Sequence, residues 1–510
     1  MGPHRFALFT GILTSALAAQ ICPPQQIPGP RGAAYGYFCD VSGDLAVVSE
    51  DEAVVNGQGK AGRVHLYERL AGTWTAAGTL ESPFPIQSGR FGNGVAVENG
   101  VIVVGEFGAN GGNGRAWVVE KVGSTWKFAE LTRTYTSGTW MGQSVAISGN
   151  TILVSSERLG VVLAYERPAG GWTSQSSISE YYAIKPTGQI GDFGAHISVS
   201  GQRAIIGNST KSEVYIMQRA FTQWSPLQVL TTSAAGADRF GSAVDIHGDI
   251  AVVGAVWDGN TAGAAYCFLR DSTGTWQQTS RFVEGNRVYG HSLGHDVAVS
   301  RNPNTEGRVA ITAIGSGTLY VHDPDDPKKL TTWTTRRSDL PQPAAQARSM
   351  GLDGTSVLIG SNFTQVGEYA FAYDIGGAYQ AGSFMSVGSG CAGTGNKVPV
   401  HSGSGTPELG KQLSWDLTNA AGSSAAALLL GVVPLDIPLW STCRAYVIPI
   451  SVEGMLTSAS GSSAFPLTVP CIPDLVGGVV RTQYLVIDFG ASHDPKLVLT
   501  NGLDTKIGGY

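Results

Sequence analysis

The chain has 510 residues, a formal net charge of −6 and only 14% charged residues, but 69 glycines. It is too long for one ordinary domain, and its mildly acidic balance argues against a nucleic-acid partner, which needs a basic face. High glycine content with few charges does not suit long surface helices and favours many short strands joined by tight turns.

The first residues have the pattern of a secretory signal peptide. Met1–Arg5 is positively charged, residues 6–16 are apolar or small, and Ala16-Leu17-Ala18 offers a small-x-small cleavage signal. The apolar run is too short to span a bilayer, and no later run reaches the required length. We therefore expect a signal peptide at 1–19, an N-terminal segment at 20–34, no transmembrane segment, and a secreted or cell-surface protein.

The cysteines are even in number, which permits disulfides in an exported chain. Cys22 and Cys39 are close enough in sequence to join the N-terminal segment to the first repeat. Among the three cysteines of the last quarter at most one pair can form, with Cys391 and Cys443 as candidates. Cys267 lies in an apolar run and is expected to be a buried free thiol.

A pattern of about 15 residues recurs along the chain, roughly every 50 residues. Each copy begins with an aromatic or large apolar residue and a glycine, and continues into two apolar stretches separated by a turn. A tryptophan after a small-polar turn follows in step in six copies, with Tyr379 in its place in the seventh. The anchors are Tyr35, Phe91, Met141, Phe193, Phe240, Leu293 and Gln346, and the tryptophans are Trp74, Trp126, Trp172, Trp224, Trp276 and Trp333. One indole per repeat indicates a structural role.

Each copy is predicted to form four strands. In the second copy, Gly94–Glu98 alternates, Asn99-Gly100 tolerates the positive φ of a hairpin turn, and Val101–Gly105 is continuously apolar. Arg115–Lys121 and Thr125–Leu131 are the third and fourth strands. Four strands in about 50 residues, repeated seven times, predict an all-β fold with a seven-bladed β-propeller of four-stranded blades at 35–380.

These copies resemble the FG-GAP repeat family, which builds the propeller of integrin α-subunits. Phe240-Gly241 followed by Val253-Gly254-Ala255 is close to the pattern that names the family. The third strand Gly263-Ala264-Ala265-Tyr266 is similar to the variety common in secreted bacterial proteins. The resemblance covers residues 35–379 and implies a propeller.

The calcium site of integrin-type relatives is not carried over. In those relatives the metal loop lies between the first and second strands, where this chain has a two-residue turn such as His247-Gly248. Such a turn is too short to wrap a cation with six or more oxygens. Asp258 and Asn260, in the next loop of the fifth repeat, are weak calcium candidates against the alternative of a plain turn. We predict no metal site and no cofactor.

The last quarter of the chain differs in composition from the repeats and is predicted to be a separate, smaller β-sandwich-like domain at 381–510. It alternates Gly/Ser/Thr-rich stretches with short strands and is long enough to bury its own core. Three of its elements are similar to a C-terminal β-domain appended to many large secreted bacterial proteins: GSGCAG at 388–393, LLLG at 428–431 and LTNGL at 499–503.

The sequence carries no HExxH, GxSxG, Walker or dinucleotide motif, and we predict no catalytic residues. The favoured function is a secreted, non-enzymatic binding or adhesion protein that presents a propeller face to an extracellular protein or glycan. One alternative is an exported polysaccharide-acting enzyme that uses the propeller mouth; a second is a structural component of an extracellular layer. The acid–base candidates for the enzyme are Asp40, Asp245, His247, His295 and Asp296.

Overall fold

The computed structural model describes residues 19–20, 25–27, 29–30, 34–70, 73–134, 139–186, 191–232, 238–300, 307–326, 328–339, 347–363, 367–374, 382–469 and 475–508. Strands dominate these residues. The helical elements within them are single turns at Ala109–Gly112, Asp258–Thr261, Glu157–Leu159, Ser209–Lys211 and Thr394–Asn396. None of the helices described is long and apolar enough to cross a membrane. Residues 1–18 of the expected signal peptide lie outside the described residues.

Seven antiparallel sheets occupy the described residues before position 375, and each corresponds to one sequence repeat. We name them blades 1 to 7. Their strands, from the first to the fourth, are as follows: blade 1, Tyr35–Ser42, Leu45–Glu50, Arg63–Leu70 and Thr73–Glu81; blade 2, Phe91–Glu98, Val101–Glu106, Ala116–Val122 and Thr125–Thr132; blade 3, Met141–Ser148, Thr151–Ser156, Val161–Glu166 and Tyr182–Ile184; blade 4, Ile197–Ser200, Arg203–Asn208, Glu213–Ala220 and Gln223–Leu230; blade 5, Phe240–His247, Ile250–Ala255, Ala264–Arg270 and Trp276–Phe282; blade 6, Leu293–Val299, Val309–Ala313, Thr318–Pro324 and Trp333–Asp339; blade 7, Ala347–Asp353, Ser356–Phe363, Gly367–Asp374 and Gln25–Ile27. Two further strands, Ser177–Ser179 and Ala19–Gln20, add in parallel to the outer edges of blades 2 and 6.

The blades form a closed ring. The first strand of each blade contacts the first strand of the next, and the first strand of blade 7 contacts that of blade 1. Hydrophobic clusters fill each junction, including one that joins Leu358 of blade 7 to Val41 and Val48 of blade 1. The fold is therefore an all-β propeller in which burial between neighbouring blades supplies most of the core.

The N-terminal segment takes part in this closure. Gln25–Ile27 pairs antiparallel with Gly367–Asp374 and so supplies the outer strand of blade 7. The Gln25 side chain also exchanges two hydrogen bonds with the backbone of Trp74 in blade 1, at 2.8 and 2.9 Å. Part of the predicted 20–34 segment thus belongs to the ring. The expected outer element at Tyr379 lies outside the described residues.

The recurring glycines allow close approach between blades. A Cβ at Gly254, at the end of the second strand of blade 5, would overlap the carbonyl oxygen of Gly294 in blade 6. The same relation joins Gly105 to Gly142, Gly207 to Gly241 and Gly360 to Gly36. Each pair links one repeat's second-strand glycine to the anchor glycine of the next repeat. A side chain at either position would force the blades apart.

The repeated tryptophans lie mostly at these same junctions. Trp276 starts the outer strand of blade 5 and packs on Val214 and Leu230 of blade 4. Its backbone is held by the side chain of Gln228, through bonds of 2.8 and 2.9 Å. Trp172 is an exception, because it does not lie in an outer strand of its own blade. It is fully buried in the turn before Ser177–Ser179, the strand that pairs with blade 2.

The cysteines occupy two different environments. Cys391 and Cys443 form a disulfide in the C-terminal region. Cys39 and Cys267 are buried free thiols. The predicted staple from Cys22 to Cys39 is therefore corrected: the Cys39 thiol donates instead to the carbonyl oxygens of Ser349 and Leu358, in blade 7. Cys22 lies outside the described residues.

The residues after 381 form sheets of their own. A five-stranded sheet contains Ser383–Val387, Leu497–Lys506, Val479–Ile487, Ala425–Gly431 and Ser451–Leu456; a three-stranded sheet contains Val400–Gly405, Gln412–Thr418 and Ser463–Thr468; a hairpin joins Val433–Pro438 to Arg444–Ile448. Their main core, around Trp415 and Tyr484, contains only residues from this region. The division into domains at position 381 remains a prediction.

Candidate functional site

A cavity of about 450 Å³ lies on the propeller axis and is lined by the first strands of all seven blades. The lining residues come mainly from the first half of each strand. Successive strands of a blade are antiparallel, so the end of the ring where the first strands begin is also the end where the second strands finish. The loops between second and third strands, and the loops that lead into each first strand, therefore lie at this end. We call this end the mouth face.

Three aspartates in the cavity wall connect neighbouring blades. Asp40 accepts the backbone N–H of Val97 in blade 2, at 2.8 Å. Asp245 accepts the N–H of Val299 in blade 6, at 2.7 Å, and also the hydroxyl of Ser198 in blade 4. In both residues these bonds to the next blade use Oδ2, and Oδ1 accepts the N–H of the following residue.

The third aspartate, Asp296, has an unusual proton affinity. Its two oxygens accept the N–H groups of Val297 and of Met350 in blade 7, at 2.9 and 2.7 Å. Burial, with the nearby Asp245 and Asp40 carboxylates, raises the pKa of Asp296 to about 7. The two backbone N–H bonds oppose this rise but do not cancel it.

Four cavity-lining side chains keep their hydrogen-bonding capacity unused. They are Tyr37, His196, His295 and Arg348, from blades 1, 4, 6 and 7. Within the described part of the chain, neither histidine ring nor the Tyr37 hydroxyl makes a hydrogen bond, and Arg348 Nε has no partner. The Arg348 guanidinium stacks over the Tyr37 ring at 5.3 Å. All four can donate to a ligand.

The two histidines are held neutral by their surroundings. Burial, together with the neighbouring His196 and Arg348, lowers the pKa of His295 to about 4. Burial also lowers the pKa of His196, although the nearby Asp192 carboxylate acts in the opposite direction. His295 and Arg348 line the same cavity from blades 6 and 7.

The mouth face carries exposed aromatic side chains. Tyr289 is 80% exposed and Trp257 is 46% exposed, and Phe84 and Trp140 are exposed on other loops of the same face. Arg239 lies over the Trp257 ring at 4.4 Å. An aromatic surface rimmed by charged groups is typical of a face that binds a partner.

The corner that precedes the first strand is strained in several blades. Arg90, Trp140, Arg239 and Ser292 each stand directly before a first strand with φ between 47° and 58°. Non-glycine residues rarely adopt this left-handed conformation, which costs about 1–3 kcal/mol where it is held. Strain of this kind concentrates at functional sites, and here it fixes Trp140 and Arg239 on the mouth face.

Sequence reasoning located part of this site. The cavity brings together Asp40, Asp245, His295 and Asp296, but His247 lies on the opposite turn and does not line it. Sequence reasoning missed Tyr37, His196 and Arg348. The available signal was their position, two residues after the repeat anchor for Tyr37 and Arg348 and three residues after it for His196, where hydrophobic neighbours alternate with polar residues.

The weak calcium candidates have other partners. The Asp258 carboxylate is bound by the guanidinium groups of Arg281 and Arg287, at 2.7 and 2.9 Å, and by the hydroxyl of Tyr266. Hydrogen bonds from these groups lower the pKa of Asp258. Asn260 adopts a left-handed turn conformation with φ of 60°. Two bound cationic side chains leave the Asp258 oxygens poorly placed to ligate a metal ion.

The acidic run Glu50, Asp51 and Glu52, at the end of the second strand of blade 1, has basic partners elsewhere in the chain. Glu50 and Asp51 are buried. Glu50 bonds to His65 at 2.7 Å, and Arg90 pairs with both Asp51 and Glu52, at 3.0 and 2.6 Å. Arg90 is distant in sequence, so the pairing becomes visible only when blades 1 and 2 are placed side by side.

The junction between blades 4 and 5 has a sequence that matches a known repeat family. Residues 224–268, from the outer strand of blade 4 to the third strand of blade 5, match the FG-GAP repeat family. The match covers this one junction of the β-propeller, and the other repeats resemble it in their pattern. No curated protein sequence matches it.

Several solved structures are similar to this propeller at low sequence identity. A Lactobacillus plantarum protein is 15% identical, with a TM-score of 0.47, over 65% of this chain and 92% of its own. Candidate 6-phosphogluconolactonases from Bacteroides uniformis and Bacteroides fragilis are 13% and 11% identical, each with a TM-score of 0.42. They share 60% of this chain, with 86% and 85% of their own lengths.

These structures correct one expectation. The sequence predicted a protein that is not an enzyme, whereas two of the similar structures are described as candidate lactonases. At this level of identity the likeness concerns the fold, and no reaction passes from those proteins to this chain.

Proposed function

We propose that this FG-GAP propeller is an exported binding protein that holds a glycan or protein ligand at its mouth face. The observation that carries the proposal is the axial cavity, where Tyr37, His196, His295 and Arg348 converge with unused hydrogen-bonding capacity. The Nδ1 atom of His295 and the Nε atom of Arg348 are buried without hydrogen-bond partners, which is costly, and a ligand that pairs with them recovers that cost. The exposed Trp257 and Tyr289 supply apolar contact area around the opening.

Export is part of the proposal. The predicted signal peptide supports it, and the Cys391–Cys443 disulfide is compatible with an oxidising compartment. The β-rich region after residue 381 would then support or tether the propeller.

A variant that fills the cavity tests the binding proposal. Ser242 lines the cavity, and Ser242→Trp would occupy it. The matched control is Phe221→Ala, which removes an exposed aromatic from a turn on the opposite face. Plates coated with polygalacturonate, chitin, dextran, gelatin and fibronectin provide the probes. We expect the wild type and Phe221→Ala to bind at least one coating and Ser242→Trp to lose it. Binding to none, or equal binding by all three proteins, would overturn the proposal.

One observation favours a second candidate, an enzyme that acts on a polysaccharide. Asp296, with a pKa of about 7, and the neutral His295 line the same cavity, so a proton donor and a proton acceptor are available near neutral pH. The test measures new reducing ends released from polygalacturonate by the wild type and by Asp296→Asn. Release that depends on Asp296 would support catalysis. Binding without release would leave ligand capture as the function of the cavity.

A further inference from the structure

We infer that the group bound in the axial cavity is an oxyanion, a carboxylate or phosphate, held by Arg348 with His196, His295 and Tyr37. This inference rests on the proposed function and deepens it by naming the chemistry of the ligand. It follows from three features of the cavity: the kind of side chains, the lack of an ion-pair partner for Arg348 within the described residues, and the available space.

The first feature is that the unused side chains are donors. Arg348 has a planar guanidinium with several N–H groups, which matches the two oxygens of a carboxylate or phosphate. Tyr37 contributes a hydroxyl, and the neutral rings of His196 and His295 each carry one N–H. These four residues come from four different blades, so their donors surround the cavity.

The second feature is that the acidic groups of the wall are already engaged. Both oxygens of Asp40, Asp245 and Asp296 accept hydrogen bonds from backbone N–H groups. Within the described residues, no carboxylate forms an ion pair with Arg348, whose contact is the Tyr37 ring. The wall carries more carboxylates than cations, so the attraction for an anion is local to Arg348, a partly buried guanidinium without a carboxylate partner among the described residues.

The third feature is size. A cavity of about 450 Å³ lies within the range of small-molecule sites and accommodates one sugar unit or a phosphorylated metabolite. A longer chain would continue over the mouth face, where Trp140 and Trp257 are exposed. Aromatic faces stack on apolar faces of sugar rings, so an acidic glycan uses both parts of the surface.

Titration calorimetry of the full chain tests the inference with D-glucuronate, inorganic phosphate and D-glucose. Glucuronate and glucose differ in the carboxylate, and phosphate separates the two oxyanion sources. We expect one glucuronate or phosphate site per chain and no heat with glucose. Arg348→Met, which keeps the aliphatic stem, should weaken binding at least about tenfold, and Arg348→Lys should retain part of it. Far-UV circular dichroism confirms that each variant is folded.

The outcomes separate this inference from the proposed function. Equal affinity of wild type and Arg348→Met for glucuronate and phosphate, or glucose binding as strong as glucuronate binding, overturns the oxyanion assignment. If Ser242→Trp still abolishes binding to a coated glycan in that case, the binding function stands and only the ligand class is wrong. If Ser242→Trp also changes nothing, both proposals fail.

Discussion

The carboxylate of Asp245 binds the backbone N–H of Val299, which lies 54 positions further along the chain in the next blade, at 2.7 Å. Asp40 makes the same bond to Val97. These bonds connect first strands that share no sheet, next to the axial cavity. They join blade 1 to blade 2 and blade 5 to blade 6 at the cavity wall, so the shape of the wall depends on these blades remaining in register.

Replacing this aspartate should weaken the ring. Asp245→Ala removes the acceptor of the Val299 N–H and of the Ser198 hydroxyl, and we expect a loss of about 2–4 kcal/mol in the free energy of unfolding. Urea unfolding followed by fluorescence measures this loss. The control is Asp249→Ala on the adjacent turn, whose exposed ion pairs should be worth less than about 1 kcal/mol. Equal effects of the two variants would contradict the connecting role.

The glycine pairs between blades predict a steric effect. Gly254→Ala places a Cβ against the carbonyl oxygen of Gly294 and should reduce stability by about 1–3 kcal/mol, because the blades must separate. Gly285→Ala is the control, since a Cβ there meets open space. Thermal unfolding of both variants provides the comparison. A Gly254→Ala variant as stable as Gly285→Ala would show that the close approach is not required.

The neutral His295 predicts a pH effect whose sign is defined. Its pKa falls from 6.5 to about 4 on folding, so between pH 4 and pH 6.5 the unfolded chain binds more protons at this residue than the folded chain does. The contribution of His295 therefore lowers the free energy of unfolding as the pH falls through this range. Asp296, with its pKa raised from 3.8 to about 7, acts in the opposite direction, so the difference between proteins is the informative quantity. We expect the gain in stability from pH 5 to pH 7 to be about 2 kcal/mol smaller in His295→Gln than in wild type.

Urea unfolding at the two pH values measures this difference. Ser242→Ala, which changes the same cavity without removing a titratable group, should behave like the wild type. An identical pH dependence in His295→Gln and wild type would mean that His295 is not held neutral by the cavity.

The buried thiols should be unreactive in the folded protein. Burial raises the pKa of Cys39 and of Cys267 to about 12, so almost no thiolate is present at pH 8. Iodoacetamide labelling followed by peptide mass spectrometry should modify both residues in urea and neither under native conditions. Recovery of a Cys22–Cys39 disulfide, or rapid native labelling of Cys39, would contradict the environment described for this thiol.

The propeller could be predicted from the sequence because its pattern is repeated in each copy. Most of the cavity residues could not, because they come together only when the ring closes. Gly241 and Gly254 recur because each blade must approach the next, and this requirement leaves the same pattern in every copy. The cavity instead depends on residues that differ between copies, such as His196 and Arg348. Their convergence is a property of the closed ring, and no spacing within one repeat encodes it.

Two elements show the same limit. The strand Gln25–Ile27 completes blade 7 by pairing with Gly367–Asp374, although almost the whole propeller sequence separates the two strands. A short polar segment such as this one carries no periodic signal that predicts the pairing. Arg90 neutralises Asp51 and Glu52 from the neighbouring blade, so the acidic run looked unpaired in sequence.

The most direct test of ligand binding at the mouth is a crystal structure of the chain soaked with D-glucuronate. We predict density for one molecule in the axial cavity, with its carboxylate on the Arg348 guanidinium and within hydrogen-bond distance of His196, His295 or Tyr37. Ser242→Trp crystals should show an empty cavity under the same conditions. An unoccupied wild-type cavity, or glucuronate bound only elsewhere on the chain, would contradict the account.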